Sequence, residues 1–173
     1  VVFCVSNGVK FDVEDKLDKD HKVFIQRNCV DIAQFEGIEK SEKSSKTTLT
    51  YIGTFKESKD VATLINAFKK LDKTKFDLKL IGSRDSKIFD DLSGIKNIEV
   101  TGFLPEKEVM TEIMESDILI YTSDKSLHQR RYTSPMKLFE YMASKRPIIA
   151  ADLPTVKEIA GESVWYYEPG NSK

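Results

Sequence analysis

From Leu49 onward, apolar and polar positions alternate in a regular rhythm. "LTYIG" reads as a strand, and the helix after it sets Val61, Leu64, Ile65, Phe68 and Leu71 on one face. "FDLKLIG" is the next strand, followed by "SKIFDDLSG", a short helix that Gly94 closes. "NIEVTGF" precedes a helix with Pro105 at its start and Val109, Met110, Ile113 and Met114 facing inward. "DILIYTS" leads through the loop "DKSLHQRRYTSP" to the helix "MKLFEYMA", whose Leu138 and Met142 face the core. "PIIAAD" and "SVWYYEP" are two further strands around the short helix "TVKEIAG". Upstream the rhythm is looser. "VVFCVS" and "KVFIQ" read as strands on either side of a charged, weakly helical stretch, and "EGIEKSEKSSKTT" has almost nothing to bury and reads as a linker or exposed loop.

Strands and helices alternating at this interval predict an α/β fold, a Rossmann-like parallel sheet with right-handed crossovers and helices on both faces. Ligands in such sheets bind outside the carboxyl ends of the strands. The loops in "YIGTFKESK", "LIGSRDSK", "VTGFLP" and "YTSDKSLHQRRYTSP" therefore open on one rim.

Composition narrows the function classes. With 27 basic and 28 acidic residues the net charge is -1, which provides no electrostatic footing for a nucleic-acid partner. Cys4 and Cys29 are too few for a disulfide framework and lack metal-ligand neighbours, so a reducing, cytoplasmic compartment is expected. No apolar run spans a bilayer and no signal peptide is visible; peripheral attachment to a membrane stays open. A chain that starts at Val rather than Met is expected to be a piece of something longer.

The chemistry concentrates between Arg130 and Glu140. Ser134 is a good cap for the orphan N–H groups of the helix, and Pro135 suits its first position. That positive helix end, with Arg130, Arg131 and Lys137 beside it, can hold phosphate, although the same residues also read as an ordinary capped helix among solvated bases. Glu140 could accept two hydrogen bonds from a vicinal diol such as a ribose, or be a surface carboxylate. Gly53 and Lys59 could set a backbone turn and an ammonium on the same rim, but they match neither a phosphate-binding P-loop nor a dinucleotide fingerprint. The Asp18–Asp20 pair lies in a charge run and reads as a solvated turn, and His21 and His128 have no partners at metal-ligand spacing. No metal site and no Ser-His-Asp or Cys-His arrangement is expected.

Taken in order, the stretches resemble the C-terminal half of the GT-B-fold glycosyltransferases of family 4 (group 1), which use nucleotide-sugar donors with retention of configuration. "KVFIQRNCVDIAQF" resembles that family's strand and "NGVD…F", with Cys29 for Gly. "TYIGTFKESKDVATLINAFKKL" resembles "VGRL…KG…LI.AF..L". "FDLKLIGS", "IEVTGFLPEKEV", "ESDILIYTS" and "SPMKLFEYMASKRPIIAADLPTVKEIAGESVWYYEPGN" follow at the expected spacing.

The resemblance implies that Glu140 bonds the donor ribose, while the helix N-terminus formed by Thr133, Ser134, Pro135, Met136, Lys137 and Leu138 offers backbone N–H groups to the diphosphate, Pro135 itself having none. It implies that Lys59 pairs with the phosphates beside Gly53, that Gly102 and Phe103 line the base pocket, and that Arg84 lies near that pocket. Two positions depart from the pattern. Tyr132 holds the place of a second Glu that contacts the transferred sugar, as in the "SP(L/M)KLFEYMA" branch. Thr54 replaces a phosphate-binding Arg, a loss that Lys59, Lys137 or Arg131 could make good.

The resemblance further implies that residues 1–46 are the tail of an N-terminal domain plus an interdomain linker. Residues 47–173 would be the nucleotide-sugar-binding domain, stopping before its last helices. The expected activity is transfer of a sugar from a UDP-, GDP- or ADP-sugar to a sugar, lipid-linked or protein acceptor in surface polysaccharide or glycoconjugate synthesis, with no cofactor. Catalytic residues would lie mostly on the other domain, leaving this chain inactive alone. The rival readings are a non-catalytic α/β module of receiver or flavodoxin type and a GT-B-fold sugar-nucleotide epimerase.

Overall fold

In a computed structural model, residues 1–18, 20–41, 44–82, 92 and 95–173 are described. Two short strands, β1 (Val2–Cys4) and β2 (Val23–Ile25), pair in parallel around helix α1 (Asn7–Glu14) and form a sheet of their own. A second sheet holds β3 (Thr47–Gly53), β4 (Phe76–Gly82), β5 (Ile98–Thr101), β6 (Ile118–Tyr121), β7 (Ile148–Ala151) and β8 (Trp165–Tyr167). Its order is β5-β4-β3-β6-β7-β8 and every neighbouring pair is parallel. The expected Rossmann-like α/β architecture is what the chain forms.

Alternation along each strand sends residues to two cores. On one face Leu49, Tyr51, Leu78, Leu80 and Ile120 pack against α2 (Val61–Phe68), which buries Val61, Leu64, Ile65 and Phe68. Leu71, expected on that stripe, falls past the helix end and is exposed. On the other face Ile52, Ile81, Leu119 and Ile148 meet α3 (Glu106–Glu115), α5 (Met136–Ala143) and α6 (Pro154–Ala160). Met110 and Ile113 of α3 and Leu138 of α5 are buried as expected, and Met142 is partly buried.

Two elements differ from their sequence reading. The loop before α5 contains a short helix, α4 (Leu127–Arg131), with Ser126 as its cap. The Lys- and Ser-rich linker is not free at its described residues. Lys40 pairs with Asp117, and Ser41 donates to Glu115 through its amide (3.0 Å) and its hydroxyl (2.6 Å). The helix expected over "SKIFDDLSG" lies outside the described residues, apart from the buried Leu92. Among the described residues no helix is long and apolar enough to cross a membrane.

Candidate functional site

The chain proceeds from β3 outward to β4 and β5, then returns to place β6 on the other side of β3. This is a topological switch, the place in an open α/β sheet where ligands bind beyond the carboxyl ends of the strands. The pairing of β3 with β6 covers only Leu49↔Ile118 and Thr50↔Leu119, so the strands splay apart towards that rim. The freed N–H of Ile52 donates to the buried Tyr141 hydroxyl of α5 at 3.0 Å. Beyond the strand ends the Thr122 hydroxyl donates to the Lys59 carbonyl, and the Asp124 N–H donates to the Ser58 carbonyl at 3.0 Å. The loop after β3, the loop after β6 and α5 are thereby joined into one wall.

Gly53 and Gly82 end their strands in register on this rim. A Cβ on Gly82 would lie 1.7 Å from the Gly53 carbonyl oxygen, and its φ of +147° is one that L residues rarely adopt. Two backbones can approach this closely only because glycine stands there. Thr54 follows, its carbonyl accepting the Tyr51 hydroxyl at 2.7 Å. Lys59 ends a single 3-10 turn (Glu57–Lys59). Burial lowers the pKa of its ammonium below the usual lysine value, with Asp124 acting in the opposite direction and Lys56 adding to the lowering. A partly desolvated ammonium is poised for an anionic partner. Gly102 and Phe103 leave the end of β5, with Phe103 three-quarters exposed at 75%. Arg84 lies outside the described residues.

The tip of α5 differs from the expected capped helix. The helix begins at Met136, Pro135 is its N-cap residue, and no side chain caps it. Ser134 is turned away instead: its hydroxyl accepts the Asn28 N–H (3.3 Å) and its carbonyl accepts the Asn28 side-chain amide (2.5 Å). Pro135 cannot replace that cap, having no side-chain oxygen. The N–H groups of Met136 and Lys137 consequently keep their donor capacity and partial positive charge, whereas the Leu138 N–H, expected to be open, already donates to the Pro135 carbonyl at 3.1 Å. Thr133, just before, donates its hydroxyl to the Gln129 carbonyl at 3.0 Å. Met136 is exposed, while Leu138 is fully buried and anchors the helix.

Glu140 lies one turn into α5 with its side chain only 14% exposed, and accepts from Lys137 in an i,i+3 pair. Arg131 is also engaged: its Nη2 donates to Asp12 Oδ1 at 2.5 Å. Both of these cations, expected to make good the Arg missing at position 54, already have a carboxylate partner. The reason is tertiary for Arg131, whose partner comes from α1, and local for Lys137. Tyr132 donates its hydroxyl to Asp12 Oδ2 at 2.6 Å.

Sequence reasoning missed Asp12, Asn28 and Tyr141. Tyr141 had a signal, since it lies three residues after Leu138 on the same helical face. Asp12 and Asn28 had none beyond Asn28 standing in the "RNCVD" block, because their partners are more than 100 positions away in the chain.

A cavity of about 620 Å³ lies at the opposite, amino-terminal end of the strands, between β3, β4, β5 and the end of α3. Its carboxylates are already partnered: Asp77 with Lys46, Glu112 and Glu99 with Lys79, Glu115 with Ser41, and Asp117 with Lys40 and the Thr48 N–H. The uncapped tip of α5 lies at the other end of the strands, on the carboxyl rim. Among the described residues no group of three or more His, Cys, Asp or Glu side chains could hold a metal ion.

Comparison with known proteins bears on this site. A family model described as glycosyl transferases group 1 matches residues 46–173. A search of curated proteins finds no match. Among solved structures, a glycosyltransferase from Rickettsia africae ESF-5 is 18% identical with a TM-score of 0.78, over 98% of this chain and 49% of that one. Anabaena HepE, solved in complex with UDP and glucose, is 15% identical with a TM-score of 0.75, over 99% and 50%. The C-terminal domain of the group 1 glycosyltransferase LpcC from Francisella tularensis is 21% identical with a TM-score of 0.58, over 80% of each chain. The chain thus spans about half the length of the first two structures. At these identities the neighbours establish the fold alone, one half of the GT-B architecture. The family match covers well over half of the residues, and with it the chain belongs to the group 1 glycosyl transferases.

Proposed function

We propose that this chain binds a nucleoside-diphosphate sugar at the carboxyl rim of its sheet, within an enzyme that transfers the sugar with retention of configuration. The observation that carries this reading is the uncapped tip of α5 at the switch point, with the Glu140 carboxylate one turn further in. In this reading the diphosphate sits on the N–H groups around Met136 and Lys137, and the Lys59 ammonium approaches it from the loop after β3. Glu140 exchanges Lys137 for the two ribose hydroxyls. Gly53 and Thr54 border the phosphates with Thr133, the backbone of Gly102 and Phe103 borders the base, and Tyr132 flanks the sugar. The solved complex of Anabaena HepE with UDP-glucose supports this class of donor.

In such a site the departing diphosphate gains charge as the glycosidic bond breaks. Fixed donors aimed at it stabilise that charge without reorganising. No metal or cofactor is required by this mechanism. We take residues 1–46 as the tail of an N-terminal domain and the crossover, and residues 47–173 as the donor domain. Acceptor-binding and catalytic groups would then come from the other domain. Surface polysaccharide or glycoconjugate synthesis at the cytoplasmic side of a membrane is the proposed setting.

Titration with UDP, GDP and ADP, read by amide chemical shifts, tests this. One of them shifts Lys59, Gly102 and Glu140 together, and Glu140→Ala weakens its binding by about tenfold, the value of a charge-assisted hydrogen-bond pair. Absence of any shift at millimolar nucleotide would overturn the reading.

A further inference from the structure

We propose that Asp12, on helix α1, is a positioning residue that sets Tyr132 as the sugar-facing wall of the site. The inference rests on the donor-site reading and extends it to an element that lies outside the residues matched by the family model. Three observations converge on this junction. Asp12 bridges two consecutive residues, taking Arg131 Nη2 on Oδ1 (2.5 Å) and the Tyr132 hydroxyl on Oδ2 (2.6 Å). The Ser6 hydroxyl, at the cap of α1, donates to the Arg131 carbonyl at 2.7 Å. Gly8 brings the backbones into contact: a Cβ there would lie 2.2 Å from the same carbonyl oxygen. Helix α1 therefore holds residues 131 and 132 by main chain and side chain together.

The ring of Tyr132 is framed as well as tethered. The Arg131 guanidinium lies 5.8 Å from its centroid and 5.3 Å from the Phe11 ring, and the His128 ring is 6.2 Å away. The hydrogen bond to Asp12 also holds the Tyr132 phenol above its usual pKa, so the proton stays on oxygen.

This arrangement selects a ligand chemistry. A phenol that donates its proton to a carboxylate has only acceptor lone pairs left to offer, and they are polarised by that bond. Asp12 also neutralises Arg131. The wall is therefore poor at holding phosphate and suited to accepting a hydrogen bond from a hydroxyl of a sugar ring. Diphosphate recognition stays with α5 and Lys59, and recognition of the sugar falls to Tyr132 through Asp12.

The test is calorimetric titration of the 173-residue chain with UDP and UDP-glucose, and with the GDP-mannose and ADP-glucose pairs. Each variant is scored by the ratio of affinities for sugar nucleotide and nucleoside diphosphate. Asp12→Ala and Tyr132→Phe each lower affinity for the sugar nucleotide by about tenfold and leave the diphosphate within about twofold. The double variant is no worse than either single one, because both remove the same contact. Tyr132→Phe keeps the ring packing, so it reports even if Asp12→Ala unfolds. Equal losses for both ligands, no change in the ratio, or additive losses would overturn the proposal. If the unsubstituted chain binds none of the nucleotides, the donor-site reading falls and the proposal with it. If it binds them and the ratio is unmoved in the variants, the proposal alone falls.

Discussion

At the residue scale, Gly82 has no room for a side chain. It ends β4 against Gly53, and both its φ and the 1.7 Å approach of a Cβ to a backbone oxygen exclude any side chain. The obstruction is main chain in a sheet, which cannot move aside as a flexible side chain does. Gly82→Ala should cost about 3 kcal/mol or more, combining backbone strain with a parted strand pair. Chemical denaturation would check it, with Gly37→Ala as the comparison. Gly37 also has a positive φ (74°), but nothing lies within 4 Å of a Cβ there, so it isolates the strain contribution. Equal losses at the two sites would show that the close approach adds nothing.

At the element scale, α5 does two jobs whose sequence requirements differ. Its buried face, with Leu138 and Tyr141 fully enclosed, ties it to the splayed strands, and its tip leaves donors open to the rim. The Tyr141 hydroxyl stands in for the missing strand partner of the Ile52 N–H. Without it a buried donor would go unpaired, the costly arrangement for a backbone amide. Tyr141→Phe should therefore destabilise the chain by about 1–3 kcal/mol. It should also speed hydrogen exchange at Ile52 more than at Tyr51 or Thr50, and uniform acceleration along β3 would contradict this account. Asn28 acts on the other end of the helix. By taking both the Ser134 hydroxyl and carbonyl, it keeps the serine from capping α5.

At the scale of the whole molecule, residues before β3 are clamped to the large sheet at both ends of its strands. Near the carboxyl rim, Glu158 of α6 accepts from the Asn7 N–H (3.1 Å) and from Arg27 (3.4 Å). At the amino end, Glu115 and Asp117 hold Ser41 and Lys40. Hydrogen bonds from the Ser41 hydroxyl and amide keep the Glu115 carboxyl below its usual pKa. Burial alone would raise Asp117, but hydrogen bonds from Lys40 and the Thr48 N–H outweigh it and hold this carboxyl low too. A carboxylate depressed in the folded state adds stability that is present above its unfolded pKa of about 4 and is lost as pH falls further. The amino-end clamp should therefore loosen below about pH 4. Protection of the Ser41 and Thr48 amides, corrected for intrinsic exchange, should fall there, and Lys40→Ala should move the onset to higher pH. Constant protection between pH 6 and pH 3 would refute the clamp.

The chain order of apolar stripes and period-2 runs was enough to place the strands, their parallel sense and the buried faces of α2 and α3, because those patterns report only which side of an element meets the core. The short α4 escaped notice, since five residues cannot show a helical period. Leu71 was assigned to the α2 stripe because periodicity carries no information on where a helix stops. The rim was legible too. Glycines after strands, and a Ser-Pro before a helix with a carboxylate inside it, mark where a ligand would sit.

What the sequence could not decide was which partner each polar group on that rim would choose. Ser134 had the chemistry of a cap, yet it bonds Asn28, and Arg131 had the charge for a phosphate, yet it bonds Asp12. A hydroxyl or guanidinium offers the same donors and acceptors wherever it stands. Its choice depends on what folding brings within about 3 Å, and here that comes from more than 100 residues away in the chain. The sequence by itself determined the alternation of elements and hence the sheet and its rim. Only the tertiary structure decided that α5 opens uncapped, that Arg131 is neutralised, and that Tyr132 is held by α1.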